Sequence, residues 1–149
     1  MKKLILFLCG TLVACYLMSQ QPVSWEFNAR KISDKTYEIH LIATIKEGWH
    51  MYAMQQPESF IGKATTVNFT KHPLVVFTGA IEEIGHLKKT KETQSGIESW
   101  EYRNKLELIQ ELKLKSDTKT VLLGDIEFQS CTNEICLPPA TVSFKIVLN

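Results

Sequence analysis

The chain has 149 residues, of which 44% are hydrophobic and 22% are charged, and its formal net charge is +1. This length supports one domain with a hydrophobic core, and this composition is ordinary for a globular protein, which argues against a disordered chain. The sequence has no basic stripe that could follow a phosphate backbone. We therefore expect no nucleic-acid partner.

The N-terminus has the layout of a secretory signal. Two lysines precede the apolar run LILFLCGTLVACYLM, which is short for a membrane span and is followed by polar residues. We expect cleavage near Ser19, so that residues 1–19 are a signal peptide and residues 20–149 form one mature domain. The letters LVAC also resemble a lipobox ending at Cys15, so a lipoprotein is the alternative. The membrane is a partner only in that case.

Export reduces the number of usable cysteines. Of the four in the chain, Cys9 would be removed and Cys15 would be removed or lipidated. Cys131 and Cys136 remain, in a compartment that permits disulfides. Since they have no competitor, we expect them to bond to each other.

Strand patterns begin directly after the signal. In VSWEFNARKI and in TYEIHLIATI, apolar and polar residues alternate with a period of two, and Ser33–Lys35 supplies a turn between them. The last segment, TVSFKIVL, alternates in the same way. One face of these strands would form the core and would carry Val23, Trp25, Phe27, Ala29, Tyr37, Ile39, Leu41, Ala43, Ile45, Val142, Phe144, Ile146 and Leu148.

The middle of the chain adds shorter strands. WHMYAM, ATTVNFT, LVVFT and TVLLGDIEFQSC indicate strands, and SWEYRNKLELIQELKLK favours a strand although its Glu and Lys content would permit a helix. The polar stretch from His86 to Gly96 is interpreted as a long exposed loop. Eight or nine short strands without a confident helix predict an all-β protein, an immunoglobulin-like antiparallel β-sandwich.

The cysteine pair allows three interpretations. As a structural clip, so small a ring would contribute only about 2 kcal/mol, less than a bond between distant strands. As part of a metal site, His50, Met51 and Met54 would suit Cu(I). On an extended strand, however, His50 and Met54 lie about 13 Å apart and Met51 points the other way, so we expect no resident metal and no cofactor.

The third interpretation is redox exchange. A small disulfide ring at a strand end, followed by Pro138 and Pro139, would be exposed enough for the thiolate of another protein, and exposed disulfides are the labile ones. The spacer contains no cation, and Glu134 disfavours a thiolate. The pair therefore has the character of a disulfide that a partner attacks, with the two prolines fixing the backbone beside it.

These residues resemble a known family. The stretch FQSC, a short spacer and CLPP, together with GWHMY upstream, is similar to the N-terminal periplasmic domain of DsbD-type thiol–disulfide interchange proteins. The resemblance runs from about Gln21 to Asn149. It implies an immunoglobulin-like fold and the role of a protein-disulfide reductase component.

The resemblance also implies residue roles and partners. Cys136 would form the mixed disulfide and Cys131 would resolve it, with Tyr52 and His50 beside the pair, His50 standing where the family often has an aromatic residue. Electrons would come from a membrane-embedded or thioredoxin-like donor and pass to oxidised periplasmic proteins. A non-catalytic protein-binding sandwich with a structural disulfide is the alternative.

Two departures from the family pattern are visible. The family covers its cysteines with a cap loop that contains acidic and aromatic residues before a glycine. The matching stretch here has Glu92, Gln94 and Gly96 but no aromatic residue. The sequence also lacks the transmembrane and thioredoxin-like parts of full DsbD proteins, so we expect this stand-alone domain to work with separate partners.

Overall fold

The structure, a computed structural model, describes residues 21–149, which form nine β-strands and no helix. The predicted signal peptide, with Cys9 and Cys15, lies outside the described residues. Within residues 21–149, no helix is long and apolar enough to cross a membrane. The strands are β1 (Val23–Ser33), β2 (Thr36–Ile45), β3 (His50–Tyr52), β4 (Thr66–Phe69), β5 (Val75–Lys91), β6 (Glu98–Leu114), β7 (Thr120–Phe128), β8 (Ser130–Cys131) and β9 (Ala140–Leu148).

The strands form two antiparallel sheets. The larger sheet has the order β1-β2-β6-β3-β8, with β5 also paired to β6, and the smaller sheet has the order β4-β7-β9. The long strand β6 organises the larger sheet, because it pairs with β2 through residues 105–113, with β3 through residues 101–102, and with β5 along most of its length. The predicted all-β, immunoglobulin-like sandwich is confirmed.

The core lies between the two sheets, and the period-two patterns explain its composition. All five inward positions predicted for β2 are buried, and Phe144, Ile146 and Leu148 of β9 face them from the smaller sheet. Aromatic rings join the sheets: Trp25 packs against Phe128 with ring centroids 5.5 Å apart, and Phe27 against Phe144 at 5.4 Å. Burial of this apolar surface is the main favourable contribution to folding.

The predicted long loop from His86 to Gly96 is wrong over its first half. Strand β5 continues to Lys91, and only residues 92–97 form the turn into β6. This part of β5 does not enter the core, so its sequence has no apolar alternation. Cross-strand pairs hold it to β6. The Nζ atom of Lys89 lies 4.1 Å from the ring centroid of Trp100, and Lys91 forms an ion pair of 2.8 Å with Glu98.

Candidate redox site

The two cysteines lie at one end of the larger sheet and differ in exposure. Cys131 ends β8, where it is paired with His50 of β3, and a disulfide joins it to Cys136 as predicted. Cys131 is 1% exposed, whereas Cys136 is exposed to solvent. Cys136 is therefore the cysteine of the pair that is open to solvent.

The hydroxyl of Tyr52 lies against both sulfurs. It donates to the Sγ atom of Cys131 at 3.4 Å and lies 3.8 Å from that of Cys136. Tyr52 is at the end of β3 and lies beside the pair, and the flanking role that the sequence suggested for it stays a prediction. Burial, with a smaller contribution from the negative charge of Glu101, raises the pKa of Tyr52, so the hydroxyl keeps its proton and remains a donor.

An aromatic ring from another segment supports Tyr52. The ring of Phe60 packs edge-on against that of Tyr52, with centroids 4.7 Å apart. Gly62 has a φ of +144°, and a Cβ atom there would lie 2.8 Å from Phe60 and 3.2 Å from Tyr52. Glycine is therefore required both by the backbone conformation and by the space that the two rings occupy. The predicted cap loop lacks an aromatic residue, but Phe60 supplies one beside Tyr52.

Gln129 connects this segment to the residues after Cys136. Its side-chain oxygen accepts from the backbone N–H of Lys63 at 2.9 Å, and its amide donates to the carbonyl of Leu137 at 3.0 Å. Leu137 also donates its backbone N–H to Ser130 at 2.9 Å. Pro138 and Pro139 follow Leu137 and are exposed, and their role in fixing the backbone beside the pair stays a prediction.

His50 is buried beside the disulfide and faces an acid. It is 5% exposed, and its Nε2 atom lies 3.1 Å from the carboxylate of Glu101, which is itself 3% exposed. Burial lowers the pKa of His50 more than the charge of Glu101 raises it, and the positive charges of Arg103 and Lys88 lower it further. The imidazole is therefore neutral near pH 7, donating from Nε2 to Glu101, and its ring meets that of Tyr52 edge-on with centroids 5.6 Å apart.

Arg103 extends this cluster to the loop between the cysteines. Its guanidinium donates to Glu101 at 2.9 and 3.1 Å, to the side chain of Asn133 at 3.1 Å and to the Nδ1 atom of His50 at 3.4 Å. Arg103 follows Glu101 by two residues in β6 and so lies on the same face of the strand. Just beyond it, between Tyr102 and Leu106, the pairing of β6 with β5 shifts register, and Asn104 has a left-handed φ of +64°. The cluster of His50, Glu101, Arg103 and Asn133 is called the anchor cluster below.

A cleft of about 390 Å³ opens beside Cys136. The anchor cluster and Tyr52 form part of its wall, and Lys88, Thr90 and Ser99 from β5 and β6 form another. Of the predicted cap residues, Glu92 lines the cleft, whereas Gln94 and Gly96 are exposed in the turn beyond it. Gly96, with a φ of +73°, closes that turn by donating its N–H to the carbonyl of Glu92 at 2.9 Å.

The family described as thiol:disulfide interchange protein DsbD, N-terminal, matches residues 16–148 of the sequence. The chain belongs to the DsbD N-terminal domain family. The match covers every strand of the sandwich and both cysteines, which confirms the resemblance seen in the sequence. The comparison with curated proteins gave no match.

Three solved structures have a similar fold. The N-terminal periplasmic domain of ScsB from Proteus mirabilis is 21% identical with a TM-score of 0.61, over 87% of this chain and 47% of that one. The reduced DsbD N-terminal domain of Neisseria meningitidis is 14% identical with a TM-score of 0.55, over 90% and 91% of the two chains. The third is a complex of the DsbD and PilB N-terminal domains from Neisseria meningitidis, matched at 12% identity and a TM-score of 0.52, over 88% and 87%. The chain spans about half the length of the ScsB chain.

The sequence predicts the two cysteines and the two β3 side chains of this DsbD-family site, including His50 of the anchor cluster. It does not predict Glu101, Arg103 and Asn133. Glu101 and Arg103 occur in a strand rich in charged residues, where a solvated face is the ordinary interpretation. Asn133 lies in the cysteine spacer between two other polar residues, Thr132 and Glu134, and the sequence does not distinguish it from them. Phe60 and Gly62 gave no signal, because they lie in an irregular segment.

Proposed function

We propose that this domain carries out thiol–disulfide exchange in the periplasm, accepting electrons from a reduced partner and passing them to oxidised proteins through Cys131 and Cys136. The observation that supports this best is the difference between the two sulfurs: one is exposed and the other is buried under Tyr52. A clip that only stabilises the fold needs neither an exposed sulfur nor a donor on the buried one. Family membership supports the same reaction.

In the accepting half-reaction, the thiolate of the donor attacks Cys136. A new bond forms between the donor sulfur and the Sγ atom of Cys136, and Cys131 leaves as a thiolate with the electron pair of the old bond. The hydroxyl of Tyr52 is already placed to donate to that leaving sulfur. A second thiol of the donor then attacks its own sulfur in the mixed disulfide and releases Cys136, which leaves this domain as a dithiol and the donor oxidised.

In the donating half-reaction, the thiolate of Cys136 attacks the disulfide of a client protein. One client sulfur leaves as a thiolate and the other is bonded to Cys136. Cys131, after losing its proton, attacks the Sγ atom of Cys136 and displaces the second client sulfur. The client is reduced and the Cys131–Cys136 bond is restored, so that two electrons have been transferred.

Two exposed isoleucines mark where a partner would dock. Ile135, next to Cys136, is 58% exposed, and Ile61, in the segment that supports Tyr52, is 71% exposed. Gln129 bridges the two segments that carry them. A partner that reaches Cys136 must cover nearby surface, and contact with these side chains would favour apolar residues around its reactive cysteine. A thioredoxin-like protein is the partner we propose, and a related DsbD domain forms a complex with the PilB N-terminal domain.

The periplasm is the compartment we propose, because the ScsB domain with a similar fold is described as periplasmic and the chain begins with a signal-like segment. We propose that residues 1–19 are removed on export and that residues 20–149 act as the mature domain. Whether Cys15 carries lipid can be read from the mass of the mature protein.

The test is to trap the mixed disulfide with matched variants. Cys131→Ser leaves the exposed Cys136 without its resolving partner, and it should accumulate a disulfide-linked thioredoxin-like or client protein in periplasmic extracts. Cys136→Ser is the control, since it leaves only the buried Cys131, and it should accumulate none. Equal capture by both variants, or capture by neither, would contradict the proposed relay.

The reduction potential separates exchange from the structural alternative. Structural disulfides in secreted proteins have potentials below about −300 mV, and labile ones are more oxidising. Equilibration of the domain with glutathione should therefore give a potential above that value. A lower potential would identify the bond as a clip in a protein-binding sandwich.

A further inference from the structure

The anchor cluster connects three parts of the site that the disulfide alone does not hold together. His50 belongs to β3, Glu101 and Arg103 belong to β6, and Asn133 lies in the loop between the cysteines. Glu101 is the fixed point, because its buried carboxylate accepts from both His50 and Arg103. Arg103 then reaches outward to the side chain of Asn133.

The loop between the cysteines is closed internally as well. The backbone N–H of Thr132 donates to the carbonyl of Ile135 at 2.7 Å, and the hydroxyl of Thr132 accepts from the N–H groups of Glu134 and Ile135 at 3.1 Å each. Asn133 therefore lies on a compact turn. Among the side-chain hydrogen bonds of the described residues, the one to Arg103 is the only one that joins this turn to β6. When the disulfide is open, that bond would hold the tip of the turn against β6, while the backbone bond from Leu137 to Ser130 holds the residue after Cys136.

We propose that Arg103, acting through Asn133, is a positioning residue that keeps Cys136 within reach of Cys131 after the disulfide has opened. The inference rests on the proposed exchange reaction, and concerns the step in which Cys131 displaces the client sulfur from Cys136. That step is intramolecular, so its rate depends on how often the two sulfurs of this chain meet. A held loop raises that frequency and shortens the life of the mixed disulfide.

Arg103 has a second effect that can be separated from the first. It is a cation that lines the same cleft as Cys136, so its charge attracts negatively charged reactants into the cleft. Asn133 has no charge and contributes only the anchor. Substitutions of Arg103 and of Asn133 are therefore expected to change the rate of the first step differently, and to slow the second step alike.

The experiment follows both steps in the reduced, full mature domain with the aromatic disulfide dithiobis-nitrobenzoate. Attack by Cys136 releases one coloured thionitrobenzoate in a phase that depends on reagent concentration, and resolution by Cys131 releases a second in a phase that does not. Asn133→Ala should slow the second phase about fivefold, the effect of losing a partly hydrated hydrogen bond to a charged group, and leave the first unchanged. Arg103→Gln should slow both phases, and Arg103→Lys should restore only the first, because it keeps the charge without the planar fork.

Controls on the same sheet are Asn28→Ala and Arg30→Gln, which alter exposed side chains of β1 and should leave both phases at the wild-type rates. A second phase within about twofold of wild type in Asn133→Ala would overturn the positioning role, since a lost anchor must slow closure of the ring. Failure of the proposed function has a different signature. In that case the wild-type dithiol would still show both phases, but Cys131→Ser would trap no partner and the potential of the pair would lie in the range of structural disulfides.

Discussion

Replacing Tyr52 with phenylalanine tests the central feature of the site. The change removes one oxygen atom and keeps the ring that packs against Phe60. The lost hydroxyl lies 3.4 Å from the sulfur of Cys131, which becomes a thiolate when Cys136 is attacked. Since Cys131 is 1% exposed, water cannot readily replace the missing donor. A hydrogen bond to a charged group contributes at least about 1.5 kcal/mol, so the attack should slow about tenfold.

The assay is reduction of the oxidised domain by dithiothreitol, with samples quenched in acid and the free thiols counted by alkylation and mass. Tyr102→Phe is the matched control, because Tyr102 is a buried tyrosine of the adjacent strand for which no bond to sulfur is found. Its rate should equal that of the wild type. If Tyr52→Phe is reduced as fast as Tyr102→Phe, the hydroxyl does not stabilise the leaving sulfur and the mechanism given above is wrong.

Three further predictions concern stability. The folded pKa of His50 lies below the ordinary 6.5, so the unfolded chain takes up a proton that the folded one does not; stability should fall as the pH drops below 6.5, by up to about 1.4 kcal/mol per unit of pKa difference, and urea titrations of His50→Gln should lack this component. Gly62→Ala should lower stability by about 1–3 kcal/mol and slow reduction by displacing Tyr52, whereas Gly48→Ala, with φ +83° and no neighbour within 4 Å, should lower stability without affecting the rate. Reduction of the Cys131–Cys136 bond should cost only about 2 kcal/mol by denaturant titration, and a dithiol form that unfolds would exclude a redox cycle.

The strands that the sequence predicts well are those with one buried face. In β2 and β9 every second residue enters the core, so the alternation of apolar and polar letters reports the fold directly. The second half of β5 has no such face, and residues about ten positions away in β6 hold it through Lys89 and Lys91. Pairing of that kind cannot be read from one segment alone, which is why a loop was predicted there.

In the candidate site, too, some residues could be predicted from the local sequence and others could not. The cysteines and Tyr52 could be predicted because their side-chain chemistry is distinctive and their motifs are short. Glu101 and Arg103 could not, because only the register shift beside Asn104 and the burial of the carboxylate distinguish them from solvated charges. Both features depend on the pairing of distant strands.

The two-stranded ribbon formed by the ends of β5 and β6 sets how far the turn at residues 92–97 stands from the sulfur pair. Adding one residue to each strand would turn the side chains of the tip, including Glu92, to the opposite face of the ribbon. Adding two would keep the facing and move the tip outward by about 7 Å. Insertions and deletions in this ribbon should therefore be tolerated when each strand changes by an even number of residues. Such changes offer a way to widen or narrow the entrance for partners of different size without altering the residues around the disulfide.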